Sequence, residues 1–436
     1  MGEVWSSLTP ALQGPLLVFL LISPLIITAV VLLRGYQVWL LVSGILRGNK
    51  SIATTFAGLI AVSVAMGVVV TAQERGLREG SARAAEKFDI VIAAQGSEYS
   101  AMLATVFLET QALPLLDGEL FQRVAEHPNV ALAAPLAFGD SHEGAPVVGT
   151  TVEFVDHLSG GLAEGRDFAA LNEAVLGADI TMALGDVFEP VHGDGSQGVL
   201  DEHGYEYIAV GRMARTGSPW DKAILVSVES VWDVHSLPLG HGPDWDGALG
   251  PPFVAEQFPG TPAILVRADA FWANYAIRSE FTTPDTMAFF PGTVLSELYA
   301  VMGDVRQIMS GMAVASLVLV TIAILTGLTM LLRLLAPKLA MLRAIGAPER
   351  FILCVSWSFA TALIISGAVL GLVIAMVSMN VVSAELTERT DILIDARLSS
   401  VEFAMVAGFV SLTSLLSLIP AFFASRRGVQ STTLTA

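Results

Sequence analysis

Four histidines that lie near acidic residues are the side chains of this sequence best suited to bind a metal. The histidines are His192, His203, His235 and His241, and the nearby acids are Asp194, Asp201, Glu202, Asp233, Asp244 and Asp246. Imidazole nitrogen together with carboxylate oxygen is a ligand set that Zn²⁺ accepts. Their spacing matches no compact metal motif, and loop histidines on an acidic surface are also common without a metal. A metal-binding sensor is therefore one hypothesis.

The sequence lacks the usual patterns for ATP hydrolysis and for proteolysis within a membrane. The stretch GNKS at Gly48–Ser51 lacks the G-x-x-x-x-G-K spacing of the glycine loop that cradles phosphates. No HExxH occurs, and no histidine lies in an apolar run, which removes the usual zinc and serine–histidine arrangements. We predict no catalytic residue and no directly bound cofactor.

Any site must be positioned by five apolar runs that flank one water-soluble block. The runs are Leu12–Leu33, Ile52–Ala72, Ile308–Leu332, Ile352–Met379 and Phe403–Ala424. Each can cross a hydrocarbon layer, which takes about 20 helical residues. Pro15 and Pro24 leave open that the first run lies in the membrane interface instead.

Charge is distributed unevenly along the chain. Residues 74–306 hold 34 Asp or Glu against 12 Lys or Arg, so the remainder carries +4 although the whole chain carries −18. Such an acidic block excludes nucleic acid as a partner, because phosphate binding needs clustered Lys and Arg. The one cysteine, Cys354, lies in an apolar run, so there is no disulfide framework.

The basic residues of the short loops predict the orientation of the chain. They are Arg34, Arg47, Lys50, Arg333, Lys338, Arg343, Arg350, Arg426 and Arg427. The positive-inside rule places these loops in the cytoplasm, and the acidic block and loop 380–401 outside. Five spans then put the N-terminus outside, and no cleaved signal peptide is predicted because a basic n-region is missing.

The pattern between the runs predicts a mixed α/β external domain on two helical stalks. Tyr36–Leu46 suits a helix on the cytoplasmic surface, and the stalks are the polar continuation of the second run and Thr293–Gln307. The predicted strands are Asp89–Ala93, Val130–Ala137, Pro146–Gly149, Tyr207–Val210, Ala223–Val228 and Ile264–Val266. The predicted helices are Gly118–Glu126 and Asp269–Ile277. Residues 236–262 hold 11 Gly or Pro, which predicts a loop or flap.

The cytoplasmic segment Pro337–Arg350, PKLAMLRAIGAPER, is the most specific stretch. Leu339, Met341, Leu342 and Ile345 form an apolar patch on a short helix that Gly346 caps and Pro348 stops. The patch suits a docking element for a partner, although an ordinary interfacial loop helix has the same pattern.

Within this segment, LAMLRAIGA resembles the signature before the last two spans of the FtsX-like permease family, which includes MacB-type ABC transporters. EGRDF and AVLGADITMALGDVF, at Glu164–Phe168 and Ala174–Phe188, are similar to the GR-x-F … VLG … LG … GD pattern of the MacB-like periplasmic core domain. YIAVGRMARTGSPWDKAILVSVESV also fits that domain. Lys338 stands where many members have an acidic residue.

Together with the apolar runs, the resemblance predicts an α-helical membrane protein of about five transmembrane helices, with a mixed α/β MacB-like periplasmic domain inserted between the second and third spans. The extra first span departs from the usual four of the family. The implied divisions are an extra N-terminal segment (1–35), an interfacial helix and a span (36–72), the periplasmic domain with stalks (73–306) and an FtsX-like domain with three spans (307–436). The location implied is the bacterial inner membrane.

The resemblance also implies a transport subunit, not an enzyme, that works with a separate cytoplasmic ATPase binding ATP–Mg. The residues implied to contact that ATPase are Leu339, Met341, Leu342, Arg343, Ile345 and Gly346. Further implied partners are a second permease copy, membrane lipids, and a periplasmic adaptor or lipoprotein. The substrate class is hydrophobic, peptide or lipid-linked; the alternative is an FtsX-like regulator that activates a periplasmic enzyme and transports nothing.

Two features of the apolar runs bear on mechanism. Gly367 and Gly371 form a G-x-x-x-G pair, a spacing that permits close helix approach and predicts a contact between two copies. Apart from Glu402 at a boundary, the runs hold no charge, which argues against an ion channel or a proton-coupled carrier.

Overall fold

The computed structural model describes residues 9–193, 204–301, 303–334 and 336–426, and the chain divides into two compact units. The helical unit comprises residues 1–76, 304–384 and 395–436, and the sheet unit comprises residues 77–303 and 385–394. Two long helices contribute residues to both units.

The helices are numbered in chain order. They are α1 (Pro10–Leu33), α2 (Trp39–Gly48), α3 (Lys50–Glu86), α4 (Glu98–Val106), α5 (Gly118–Ala125), α6 (Val152–Ser159), α7 (Val228–Val234), α8 (Ala273–Phe281), α9 (Pro291–Val301), α10 (Gly303–Leu334), α11 (Ala336–Ala344), α12 (Glu349–Thr390), α13 (Ser400–Leu416) and α14 (Leu418–Arg426). Short 3₁₀ turns cover Pro219–Lys222 and Ala255–Gln257.

Among the described residues, four helical stretches are long and apolar enough to cross a membrane. They are Leu12–Leu33, Lys50–Glu86, Glu349–Thr390 and Ser400–Ser425, with mean hydropathies of 3.0, 2.1, 2.5 and 1.9. The remaining predicted run lies in α10, whose described apolar part, Val318–Leu334, is shorter than 18 residues. Five spans therefore remain a prediction.

The last apolar run is interrupted, which the sequence analysis did not predict. Helix α13 ends at Leu416 and α14 begins at Leu418. Pro420 has no N–H to donate to the Leu416 carbonyl, so the regular ladder is broken there. The flanking bonds survive, since the Ser417 N–H donates to the Thr413 carbonyl at 2.9 Å.

The predicted contact of Gly367 and Gly371 with a second copy stays a prediction, and the structure adds a contact within the chain. Both glycines are buried, and both face α3 of the same chain. A Cβ on Gly367 would lie 2.7 Å from the Ile60 Cβ, and one on Gly371 would lie 2.7 Å from the Ala61 carbonyl oxygen. Small residues at this spacing let two helix backbones approach closely, and here both helices belong to one chain.

The described part of the sheet unit contains eleven strands. They are β1 (Ile90–Ala94), β2 (Val130–His142), β3 (Ala145–Thr150), β4 (Leu162–Gly165), β5 (Glu173–Leu176), β6 (Val187–Phe188), β7 (Val191–His192), β8 (Tyr207–Met213), β9 (Ile224–Ser227), β10 (Ala263–Ala268) and β11 (Thr286–Phe289). Their order is β11-β1-β10-β2-β3-β9-β5-β8-β4, with β6 paired to β8 and β7 paired to β2.

Strand β2 joins the two halves of this sheet. Its first part pairs with β10, and its last part pairs with β3 and β7. The register with β3 shifts between Phe138 and Asp140, which makes a β-bulge at Gly139. A bulge inserts one extra residue and re-aims the side chains beyond it.

Apolar side chains cover both faces of the sheet. Along β1, Ile90 and Ile92 join one core cluster and Val91 joins the other, because successive side chains of a strand point to opposite faces. Helices α5, α7 and α8 pack with the first cluster, and α4, α6 and α9 pack with the second. The mixed α/β domain predicted from the sequence is thus a sheet between two helical layers.

Most predicted elements of the sheet unit are confirmed, with shifted ends. The strand predicted at Val130–Ala137 continues to His142, because the bulge lets it pair with β3. The helix predicted at Asp269–Ile277 begins only at Ala273, since β10 extends to Ala268. The stretch Thr286–Phe289 was not predicted as a strand.

Replacing Gly367 with Ala tests the packing of α12 on α3. The new Cβ would lie 2.7 Å from the Ile60 Cβ, and overpacking of this kind costs about 1–3 kcal/mol. We expect a lower thermal midpoint in detergent. Gly408→Ala is the matched control, because its Cβ would meet Leu21 at an ordinary 3.9 Å. Equal midpoints for the two variants would contradict the contact.

Candidate functional site

Helix α11 is a short helix between two long ones, and it ends where the sequence predicts. The N–H of Gly346 donates to the Arg343 carbonyl at 2.9 Å, and that of Ala347 donates to the Leu342 carbonyl at 3.0 Å. Gly346 has a φ of +94°, a conformation that favours glycine at a helix C-terminus. Pro348 then precedes the first residue of α12.

The apolar patch predicted on α11 is divided between the interior and the surface. Leu339 is buried, and Leu342 is half-buried, in a cluster of the helical unit that includes Ile352. Met341 and Ile345 are 68% and 78% exposed. The helix therefore holds itself to its own chain with one set of side chains and presents the other set outward.

Arg343 lies between these exposed residues in the sequence and is half-buried. Its Nε and Nη2 atoms are buried and have no hydrogen-bond partner among the described residues. A buried charged donor left unsatisfied costs more than a neutral one. Because these two atoms are buried, they are closed to another chain in this conformation, and the contact of Arg343 with an ATPase stays a prediction.

The turn after α12 belongs to the sheet unit and packs on α3 and on the loop that contains Gly217. The Leu393 N–H donates to the Gly217 carbonyl at 3.3 Å. A Cβ on Gly80 would lie 2.8 Å from the Leu393 carbonyl oxygen and 2.9 Å from the Ile392 Cγ2, so only glycine permits this approach. Ile392 is buried, and such burial stabilises by about 1.5–3 kcal/mol.

An ion pair accompanies this packing. Lys222 Nζ contacts the Asp391 carboxylate and lies 3.3 Å from the Glu388 carbonyl oxygen. Both charged side chains are about 40% exposed, and exposed ion pairs contribute about 0–1 kcal/mol. We infer that apolar burial provides most of the stability and that the ion pair sets the register of the turn.

The loop that receives the turn is built by Asp221. This buried carboxylate accepts hydrogen bonds from the Thr216 N–H and hydroxyl, each at 2.8 Å, and from the Gly217 N–H at 2.7 Å. Gly217 has a φ of +75°. The stretch TGSPWDK, noted above only for its resemblance, therefore positions both the Gly217 carbonyl and the Lys222 ammonium group.

Two arginines hold together the other stretches that carry the resemblance. Arg166 forms two hydrogen bonds to the Glu173 carboxylate, one of them at 2.6 Å, and this lowers the pKa of Glu173 to about 2. Arg212 donates to the Met182 carbonyl at 2.5 Å and to the Gly177 carbonyl at 3.3 Å. These residues serve the fold of the domain.

One carboxylate in the helical unit is fully buried. Glu402, in the first turn of α13, accepts from the Ser399 N–H at 2.8 Å and forms a capping box with that residue. Arg75 Nη1 of α3 lies 2.6 Å from the other Glu402 oxygen and 2.7 Å from the Ser399 hydroxyl. The single acidic residue at the boundary of an apolar run thus ties α13 to α3.

The four candidate histidines have different surroundings. His192 Nδ1 lies 3.2 Å and His235 Nε2 lies 3.6 Å from the Asp140 Oδ1. His241 is elsewhere, with its Nε2 3.2 Å from Glu229 Oε1 and its ring stacked on Trp245. His203 lies outside the described residues.

Asp140 was missed by the sequence analysis, although it is the residue that joins the two histidines. The available signal was the Gly-Asp pair within a strand pattern, because an isolated glycine in a strand suggests a bulge. The same residue lines a cleft of about 570 Å³ in the sheet unit, together with His142, Met182, Lys222 and Asp391.

No family model and no curated protein matches the chain. Among solved structures, the periplasmic region of MacB from Actinobacillus actinomycetemcomitans is similar at 10% identity and a TM-score of 0.31, over 49% of this chain and 95% of that one. The extracellular domain of the ABC-type transporter YknZ from Gram-positive bacteria is similar at 10% identity and a TM-score of 0.29, over 46% and 98%. Both likenesses are weak and concern one domain, so the function rests on the residues of this chain.

Replacing Glu402 with Ala tests the buried ion pair. Arg75 would lose its carboxylate partner, and removing one member of a buried pair costs about 3–5 kcal/mol. We expect a large fall in the thermal midpoint of the detergent-purified chain. Glu385→Ala is the matched control, because its carboxylate is 55% exposed and pairs with Arg389 on the helix surface. If both variants lose the same stability, Glu402 has no special role.

Proposed function

We propose that this chain is the membrane subunit of a transporter driven by a separate ABC ATPase, and that the ATPase binds α11. One observation carries the proposal: α11 is held to its own chain by the buried Leu339 and exposes the apolar side chains of Met341 and Ile345. A partner surface with an apolar pocket would bury these two side chains. ATP–Mg belongs to that partner.

The chain connects α11 to the sheet unit through α12, and we infer that movement is transmitted along this helix. Helix α12 begins three residues after Gly346 and runs for 42 residues without interruption, which corresponds to about 63 Å at 1.5 Å per residue. Its far end leads directly into the turn that packs on Gly80 and Gly217. Movement of α11 on ATP binding is therefore delivered along one helix to the sheet unit.

We place the sheet unit in the periplasm of a bacterium, with the helices in the inner membrane and α11 in the cytoplasm. The positive-inside distribution of Lys and Arg supports this orientation. The working unit would be a dimer, homomeric or heteromeric, with a periplasmic adaptor or lipoprotein as a further partner and membrane lipids around it. The scarcity of charge in the apolar runs favours a hydrophobic, peptide or lipid-linked substrate handled on the outer side.

A regulator that activates a periplasmic enzyme would use the same route and transport nothing. The two functions separate in one measurement, the response of ATP turnover to added substrate. A complex that carries a bound periplasmic hydrolase and shows no substrate stimulation would favour the regulator.

The double variant Met341→Ser/Ile345→Ser tests the contact of α11 with the ATPase. Because it removes the exposed apolar pair, we expect at least a tenfold loss of ATPase co-purified with the tagged chain, measured by quantitative mass spectrometry. Arg343→Ala should give a similar loss. Ala344→Ser, on the exposed surface of the same helix, is the control and should retain the partner. Undiminished co-purification in the double variant contradicts the proposal.

Gly80→Ala tests transmission separately from binding. Its Cβ would clash with the Leu393 carbonyl at 2.8 Å and displace the turn after α12. We expect the ATPase to co-purify normally while ATP turnover of the complex changes severalfold. Gly58→Ala in the same helix, where a Cβ meets nothing within 4 Å, should leave turnover unchanged. Identical turnover in both variants would exclude this route.

A further inference from the structure

We propose that Asp140, His192 and His235 form a binding site for a transition-metal cation of the zinc class. One donor atom from each residue lies within 4.8 Å of the other two. The proposal is independent of the transport function, because it rests only on this cluster in the sheet unit.

Three separate elements bring the donors together. Asp140 follows the bulge in β2, His192 stands opposite it in β7, and His235 follows the last residue of α7. Without the bulge, the β2 register would shift by one residue and the Asp140 side chain would point to the other face of the sheet. The fold therefore directs Asp140 toward the two imidazoles.

The observed separations agree with tetrahedral coordination. Zn–N and Zn–O bonds of about 2.0–2.1 Å place neighbouring tetrahedral donors about 3.3–3.4 Å apart. The distances from Asp140 Oδ1 are 3.2 Å to His192 Nδ1 and 3.6 Å to His235 Nε2. A small adjustment of the side chains would thus accommodate the ion.

The tautomer of His235 is set for metal binding. Its Nδ1 lies 2.8 Å from the Val231 carbonyl oxygen, and a carbonyl only accepts, so Nδ1 carries the proton. The Nε2 atom faces Asp140, and in the neutral imidazole it would offer its lone pair to a cation. A second-shell hydrogen bond of this kind is typical of histidines that bind metals.

The burial of Asp140 and the exposure of His192 both suit the binding of a cation from solvent. The Asp140 side chain is 3% exposed and the His192 side chain is 59% exposed, so the carboxylate is sheltered while one ligand faces solvent. A buried carboxylate gains from a nearby cation. Asp140 and Gly193 also line the adjoining cleft, so an ion held by these three residues would lie beside it.

The alternative is a hydrogen-bonded cluster in which Asp140 holds two imidazoles without a metal. The two interpretations differ in one measurable quantity, the amount of zinc bound at saturation. The His192→Gln variant is the sharpest test because this exposed side chain can be replaced without disturbing the core.

The full-length chain would be purified in detergent without a polyhistidine tag, stripped with a chelator and dialysed against micromolar Zn²⁺ alone. Bound zinc would be measured by mass spectrometry. We expect the parent and the His157→Gln control to bind one zinc more than His192→Gln or His235→Gln. Zinc should also raise the thermal midpoint of the parent and control only, reversibly with chelator. Equal zinc content in all four proteins, or no saturable binding by the parent, would overturn the proposal.

Discussion

The close approach of α12 to α3 is the constraint on which the rest of this chain depends. It is made twice, each time by glycine. In the helical unit, Gly367 and Gly371 of α12 lie against Ile60 and Ala61 of α3, and in the sheet unit Gly80 of α3 receives the turn after α12. The stretch containing α3 and the stretch containing α12 and its following turn therefore meet once within each unit, each time without room for a Cβ.

Polar interactions assist this packing in proportion to their burial. The Arg75–Glu402 pair has a fully buried carboxylate whose remaining lone pairs are satisfied by Ser399, so breaking it is costly. The Lys222–Asp391 pair is half in solvent and adds little free energy. The pair instead determines which residues of the turn contact the loop that contains Gly217 and Lys222.

The sequence was sufficient to predict those features that depend only on the order of residues along the chain. Length and hydropathy predicted five stretches able to cross a membrane, four of which are long apolar helices among the described residues, and Gly346 with Pro348 located the end of α11. The predicted patch on α11 was only half exposed, because sequence spacing shows which side chains share a face but not that Leu339 packs on the chain itself. Likewise, the spacing of Gly367 and Gly371 predicted a close contact between helices but not which helix they contact.

The grouping of His192 and His235 lay beyond the sequence for a related reason. They are 43 positions apart in the numbering, and they meet only because a bulge in β2 turns Asp140 toward both. A prediction from residue types found the imidazoles and missed the carboxylate. The proximity of Asp140 to the two imidazoles depends on the pairing between strands, which is set by the whole sheet.

The continuity of α12 also restricts how this protein can vary in evolution. Inserting one residue into a helix rotates everything beyond it by about 100° and advances it by 1.5 Å. In α12 that rotation would carry Gly371 away from α3 or Asp391 away from Lys222, depending on the position of the inserted residue. The length of this helix, more than its composition, is the inherited quantity, so related chains should gain or lose residues in their loops and leave its count of turns unchanged.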